Sequence, residues 1–137
     1  MNSMQFVGFF REMQPNPDEV FKESIFDHLT GGPSYEASNV VRYLESGYPV
    51  FDIMEGTRDV LGGKFLVPGG SSLLTDGQYV WRNDLSYYVR EYKINLPVEF
   101  LNYMRDRNFE IPPEDPQLFE EIGNTASRLL GFRSSSM

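Results

Sequence analysis

Glycines in the middle of the chain constrain the fold more than any other feature of the sequence. Six of the twelve glycines lie between Gly56 and Gly77, and short apolar stretches separate them. Glycine weakens a helix interior and tolerates the backbone angles of tight turns, so this pattern predicts short antiparallel strands. The clearest turn is at Asp76 and Gly77, because Asp-Gly supplies the positive φ angles of a hairpin. We expect that hairpin to join residues 72–74 to residues 78–81.

Helical patterns precede this region. Asn16 can cap a helix and Pro17 suits its first position, and apolar residues then recur three and four positions apart. A second helix is expected over residues 34–46, ended by Gly47 in the left-handed conformation. The pattern of the segment 1–13 fits either an edge strand or a helical turn, and we leave its type undecided.

Helical patterns also follow the glycine-rich region. Asn83 or Asp84 is expected to cap one helix, Pro97 to begin another, and Asp115 to cap a last helix that ends at Gly131. The order of these patterns predicts an α+β fold. We expect two N-terminal helices, a small antiparallel meander of three to four strands, and two to three C-terminal helices covering one face.

Length and composition bound the class of protein. The chain has 137 residues, which we interpret as a single domain over residues 1–137 with a disordered tail at 132–137. Acidic residues outnumber basic ones by 20 to 12, and the formal charge is −8. A nucleic-acid partner is not expected, because phosphate neutralisation needs clustered Lys and Arg, whereas a basic protein partner fits the charge.

The same composition limits chemistry and location. The chain has no cysteine and one histidine, so disulfides, thiolate zinc sites and multi-histidine metal sites are excluded. We expect neither a cofactor nor a metal. No apolar run approaches the ~18 residues that cross a bilayer, and the first residues lack the pattern of a signal peptide. We therefore expect no membrane association and a cytoplasmic location.

No complete catalytic constellation is visible. His28 is interpreted as a boundary residue at a helix end, and no Gly-x-Ser-x-Gly motif presents a serine for it to activate. Carboxylates that could converge as an acid and base pair are numerous, but their spacing selects no pair. They are Asp52, Glu55, Asp59, Asp76 and Asp84. The turn explains Asp76 and the helix cap explains Asp84, whereas no turn or cap rule explains the adjacent Arg58 and Asp59, which we interpret as a local ion pair.

An aromatic cluster is the strongest candidate binding surface. Tyr87 and Tyr88 point about 100° apart on a helix, so both cannot face the core centre. We expect Tyr87 to point outward near Trp81, flanked by Arg82 and Asp84, as an aromatic contact area ringed by charges. The alternative is an aromatic-rich core in which Tyr87 packs under a loop of the meander. The candidate binding residues are Arg58, Asp59, Trp81, Arg82, Asp84, Tyr87 and Tyr88.

The stretch from Ser71 to Met104 resembles an uncharacterised family of small bacterial proteins, largely actinobacterial. The resemblance rests on the pattern TDGxxxWxxDLxYYVxxY at residues 75–92 and on LPxEF at residues 96–100. Residues 7–12 and 43–47 also look like that family, so the resemblance covers most of residues 6–105.

Two departures from the family pattern stand out. Arg82 occupies a position where proline is expected, and Lys93 one where histidine is frequent. If that histidine mattered for a reaction, this chain would lack it. The family has no known activity, so the resemblance implies an architecture and no catalytic residue.

Two functional hypotheses from different classes follow. The first is a non-catalytic protein-binding module for a basic partner, with a toxin-neutralising immunity protein as one form of that class. The second is a small enzyme or small-molecule-binding domain, with carboxylates and tyrosines lining a pocket between the sheet and the helix that begins at Asp84. The lack of a complete catalytic constellation favours the first.

Overall fold

The computed structural model describes residues 4–14 and 20–130, and within these ranges it has six strands and four α-helices. The strands are β1 (Gln5–Val7), β2 (Tyr48–Phe51), β3 (Thr57–Arg58), β4 (Leu66–Val67), β5 (Leu73–Thr75) and β6 (Tyr79–Arg82). The helices are α1 (Ala37–Glu45), α2 (Leu85–Tyr92), α3 (Val98–Asp106) and α4 (Pro116–Leu130). The predicted α+β class is confirmed.

Four strands form one sheet in the order β1-β6-β5-β2. Strands β2, β5 and β6 pair antiparallel. The β5–β6 pairing is as predicted, whereas β2 lies before the glycine-rich region and was not predicted. Strand β1 is different, because it pairs parallel to β6 with Phe6 opposite Val80. The sheet is therefore mixed, and the N-terminal segment contains an edge strand. Strands β3 and β4 form a separate two-stranded sheet.

The predicted hairpin joins β5 to β6, but in this turn Gly77 alone has a positive φ and Asp76 does not. Gly77 has a φ of +102°, which lies in the region that favours glycine. Asp76 Oδ1 accepts hydrogen bonds from the amides of Gln78 and Tyr79 at 2.8 and 2.7 Å. Thr75 Oγ1 accepts from the Gly77 amide at 3.0 Å and donates to the Tyr79 carbonyl at 2.7 Å. The side chains of Thr75 and Asp76 thus stabilise the turn by hydrogen bonds to its backbone groups.

The predicted first helix is wrong over the residues that can be described. Only a short 3-10 helix forms, at Ile25–His28, and Ser24 caps it by accepting from the Phe26 amide at 3.2 Å. The Glu12 carboxylate accepts from the Ile25 amide at 2.8 Å, so a bond distant in sequence takes a donor that a longer helix would use. The proposed cap Asn16 and the proline after it lie outside the described residues.

Helix α1 is present as predicted, but it begins at Ala37 after Glu36 and not after Ser34, and the predicted role of Gly47 is wrong. Gly47 is not among the residues with positive φ. A Cβ atom there would lie 2.7 Å from Cζ2 of Trp81, so glycine is needed for close packing against the indole. Leu44 and Val40 are buried as expected, and Tyr43, which the helical pattern did not mark, is fully buried beside them.

Helices cover both faces of the sheet, so the expectation of one covered face is wrong. Tyr79 and Trp81 point to one side and pack in a core cluster with residues of α1, α2 and α3. Leu73 and Val80 point to the other side and pack with Ile122 of α4. The opposite orientation of Val80 and its neighbours on β6 follows from strand alternation, as predicted.

The C-terminal helices begin where their caps predict. Pro97 precedes α3, and Asp115 Oδ1 accepts from the Leu118 amide at 3.2 Å in the first turn of α4. The predicted end at Gly131 and the tail at 132–137 lie outside the described residues. Over residues 4–14 and 20–130, no helix combines the length and apolar character that crossing a bilayer requires.

Candidate functional site

Trp81 lies in the centre of the core. Its exposed fraction is 0%, and the indole Nε1 donates to the Leu44 carbonyl at 3.0 Å. The rings of Tyr43 and Phe100 lie 6.0 and 5.5 Å from it, centroid to centroid. The expectation that Trp81 anchors a surface is wrong, because its polar atom finds a buried partner and its ring is enclosed on both sides.

Arg82 and Asp84 form a buried ion pair across the junction of β6 and α2. They are 5% and 1% exposed, so neither forms the charged rim that the sequence predicts. Arg82 Nε donates to Asp84 Oδ1 at 3.2 Å, and Nη2 donates to Oδ2 at 2.9 Å. Thr57 Oγ1 donates to Oδ2 at 2.8 Å. Burial raises the pKa of Asp84, and the guanidinium and the Thr57 hydroxyl oppose that rise.

Asp84 occupies the cap position of α2, as predicted, but its side chain caps no amide of that helix. The carboxylate turns instead toward Arg82 and Thr57, which ties α2 to β6 and β3. Removing one member of such a pair leaves the other as an uncompensated buried charge. The pair therefore has a structural role that the cap rule does not describe.

Asp59 organises the turn that follows β3. Its Oδ1 accepts from the amides of Leu61 and Gly62, and its Oδ2 accepts from the amide of Lys64 and the hydroxyl of Tyr92. Burial would raise the pKa of Asp59, but these four donors outweigh it and lower the pKa below its usual value of 3.8.

The expected ion pair between Arg58 and Asp59 does not form within the described ranges. Arg58 is exposed on β3 while Asp59 is buried. A turn rule could have found this role, because an aspartate followed three and four residues later by Gly62 and Gly63 is typical of a side chain that binds its own turn.

The tyrosines of α2 pack against the loop between β3 and β4. Tyr88 is buried, and its hydroxyl accepts from the Val60 amide at 2.9 Å. Burial raises the pKa of Tyr88 to about 12. Tyr87 is half-buried, with the Phe65 ring 5.6 Å and the Arg90 guanidinium 5.2 Å from its ring centroid. Tyr87 thus packs beside the meander rather than standing free.

Internal hydrogen bonds occupy three of the five carboxylates that the sequence offered for chemistry, Asp59, Asp76 and Asp84, whereas Asp52 and Glu55 are exposed. Asp59 and Asp84 each accept several bonds from the protein, and the hydroxyls of Tyr88 and Tyr92 are bonded to the β3–β4 region. No group of three or more metal-ligating side chains occurs in the described part of the chain. The hydrogen bonds of Asp59 and Asp84 stabilise the packing of α2.

Sequence reasoning missed a buried polar pair formed by Tyr43 and Asp76. The Tyr43 hydroxyl donates to Asp76 Oδ2 at 2.6 Å, and both residues are buried. Burial raises the pKa of Asp76 although its hydrogen bonds lower it in part. No local signal predicts the pair, since the partners belong to α1 and to the β5–β6 turn.

A groove lies between the edge strand β2 and α4. It has a volume of about 840 Å³, and half-buried Val50, Phe51 and Phe119 form an apolar part of its lining. The Tyr48 and Phe119 rings pack at 4.9 Å between centroids, which holds α4 beside β2. At Gly123 a Cβ atom would lie 3.8 Å from Val50, so the absence of a side chain widens the groove there.

Two exposed carboxylates are among the residues that line this groove. Glu114 and Glu120 line it directly. The acidic residues from 110 to 121 are Glu110, Glu114, Asp115, Glu120 and Glu121, and all five are exposed. None of them takes part in an ion pair with another described residue. Arg128 is the basic residue that lines the groove.

Comparison of the chain with protein-family models, with curated proteins and with solved structures gives no match. The resemblance to an actinobacterial family therefore stays a prediction, and a functional proposal must rest on the geometry described above.

Proposed function

We propose that this protein is a non-catalytic binding module for a basic protein, and that the partner docks at the groove between β2 and α4. The observation that carries the proposal is a groove whose lining combines an apolar part with carboxylates that have no ion-pair partner among the described residues. The buried ion pair and hydrogen-bonded carboxylates near α2 support a structural role for that region.

The groove offers the two kinds of contact that protein interfaces combine. Val50, Phe51 and Phe119 provide partly exposed apolar surface, which an apolar side chain of the partner would cover. Full burial of one large apolar side chain contributes about 1.5–3 kcal/mol. Carboxylates at the rim then favour Lys and Arg around that central contact.

The charge of the whole chain favours the same partner. A formal charge of −8 attracts a basic protein during diffusion and repels acidic competitors. The attraction acts over a screening length of about 8 Å at physiological ionic strength, so salt should slow association.

The specific form that we propose is an immunity-type protein. Toxins that act on nucleic acids need basic surfaces to hold phosphates, and an acidic protein with an apolar groove could cover such a surface. Neutralisation by coverage needs no catalytic group, which agrees with the internally bonded state of Asp59 and Asp84.

A matched pair of charge-reversal variants tests the proposal. Glu114→Lys and Glu120→Lys reverse the carboxylates that line the groove, and Glu121→Lys reverses the next residue of α4. Glu91→Lys, Glu99→Lys and Asp106→Lys make the same change of charge elsewhere. All six residues are exposed, so both triple variants should fold, which circular dichroism checks.

Proteins that bind to immobilised wild type are purified. Calorimetry then measures their affinity for the wild type and for both variants at low and high salt. We expect the groove variant to bind at least tenfold more weakly and the control variant to bind within a few-fold of wild type. Equal weakening by both variants would reduce the effect to net charge and would overturn the proposed site. For the immunity-type form, co-expression of a toxic partner should be tolerated with the wild type and the control but not with the groove variant.

A further inference from the structure

A second cavity lies beside the buried ion pair. It has a volume of about 260 Å³ and is lined on its apolar side by Phe9, Met13, Phe21 and Leu73. Arg82 lines it as well, although this residue is only 5% exposed. A nearly buried cation in a cavity with an apolar side is a typical element of a binding site for a small anion.

The guanidinium of Arg82 has one edge occupied and one edge free. Asp84 binds the edge formed by Nε and Nη2, at 3.2 and 2.9 Å. Nη1 forms no hydrogen bond with any residue in the described ranges. No buried side-chain nitrogen or oxygen in those ranges lacks a partner, so Nη1 must reach solvent. Arg82 is otherwise enclosed and lines the cavity, so we place the exposed part of Nη1 at the cavity.

We infer that this cavity binds a small apolar monocarboxylate through the Nη1 and Nη2 edge of Arg82. The planar guanidinium has five N–H donors, and its free edge matches a carboxylate in two parallel hydrogen bonds. The apolar lining would cover the hydrocarbon part of the ligand. This site is separate from the groove between β2 and α4, and it extends the function beyond protein binding.

The charges around the cavity select a singly charged ligand. Asp84 already neutralises the guanidinium, and Glu55 also lines the cavity. A dicarboxylate or a phosphate would add a second negative charge near these two carboxylates. A single carboxylate pays less for desolvation and repulsion, and a benzoate-sized body fits a cavity of about 260 Å³.

Titration of the full chain with benzoate tests the inference, with benzamide as the uncharged control of the same shape. The readout is the NMR signal of the Arg82 Nε–H group, which reports directly on the guanidinium. We expect a saturable shift with a Kd of about 1 mM or tighter for benzoate and none for benzamide. No saturable shift with benzoate, or an equal shift with benzamide, would overturn the inference.

Two variants place the site without disturbing the buried pair. Glu55→Gln removes a competing charge at an exposed lining residue and should tighten benzoate binding at least threefold, whereas Asp52→Asn, an exposed carboxylate that does not line the cavity, should change it less. Ser71→Leu narrows the cavity and should abolish the shift. If Ser71→Leu fails to fold, the comparison of Glu55→Gln with Asp52→Asn still decides, since equal effects would contradict the site.

Discussion

The Tyr43 hydroxyl donates a hydrogen bond to Asp76 over 2.6 Å, although 33 positions separate the two residues in the chain. The bond connects α1 with the turn between β5 and β6, and both residues are buried. Burial and the nearby Asp76 raise the pKa of Tyr43, so the hydroxyl keeps its proton and remains the donor.

Tyr43→Phe should lower the free energy of unfolding by about 1–3 kcal/mol at neutral pH, because Asp76 Oδ2 loses its donor inside the core. Burial already raises the pKa of Asp76, and loss of the Tyr43 hydrogen bond raises it further. The variant therefore destabilises the folded state only where Asp76 is ionised. The loss should shrink as the pH falls and Asp76 is protonated. Urea unfolding at two pH values measures it, with Tyr87→Phe as the half-buried control.

Gly77→Val should destabilise the fold by about 1 kcal/mol or more, because valine tolerates positive φ poorly. A Cβ atom at Gly77 would meet Leu118 Cδ2 at 3.5 Å, an ordinary contact, so strain and not crowding causes the loss. Gly123→Ala is the control, since that helical glycine has room for a methyl group and should gain about 0.5–1 kcal/mol. Unchanged denaturation of Gly77→Val would contradict the role of the turn.

Asp59→Asn should make the free energy of unfolding depend less on pH in the acid range. The pKa of Asp59 is lower in the folded chain than its usual value of 3.8, so the ionised carboxylate stabilises the fold above that value. This contribution is lost as the pH falls from 3.8 through the folded pKa. Urea unfolding between neutral pH and acid should show a smaller change for Asp59→Asn than for wild type or for the exposed control Asp52→Asn. Equal slopes would refute the role of the turn carboxylate.

Arg82 and Asp84 should behave as one unit in a double-mutant cycle. Arg82→Met leaves a buried carboxylate unpaired and should cost about 3–5 kcal/mol. The double variant Arg82→Met with Asp84→Leu should lose less unfolding free energy than the sum of the losses in the two single variants. Thermal or urea unfolding of the four proteins gives the coupling energy. Additive losses would show that the two charges do not depend on one another.

Removal of divalent metal should leave the protein unchanged. The chain has no cysteine and one histidine, and its carboxylates lack the spacing of a calcium loop. The melting temperature with excess EDTA should equal that without it. A fall of several degrees would reveal a metal site built from scattered carboxylates.

Local rules predicted the elements whose signals lie within a few residues. The hairpin at Asp76 and Gly77 and the starts of α3 and α4 at Pro97 and Asp115 depend on neighbouring amides and fixed φ angles. The alternation along β6 also follows locally, which is why the opposite orientation of Val80 was predictable.

The candidate surface failed because burial depends on contacts that are distant in sequence. Trp81 is enclosed by Leu44 and Phe100, residues from helices on either side of it in the chain. Arg82 and Asp84 carry charges that suggest a surface, yet each supplies the partner that allows the other to be buried. The groove beside α4 was likewise not predictable, since it forms only when α4 packs against β2.

The parallel pairing of β1 has a consequence for how the chain is made. Gln5 pairs with Tyr79 and Val7 with Trp81, so β1 has no partner strand until β6 has left the ribosome. At typical rates of synthesis this takes several seconds. Phe9 and Phe10 are almost fully buried in the finished fold, in core clusters that include residues of β6, so this part of their cover is missing during that interval. The segment around β1 therefore completes its burial late in synthesis, and a chaperone that binds aromatic segments would protect it until β6 arrives.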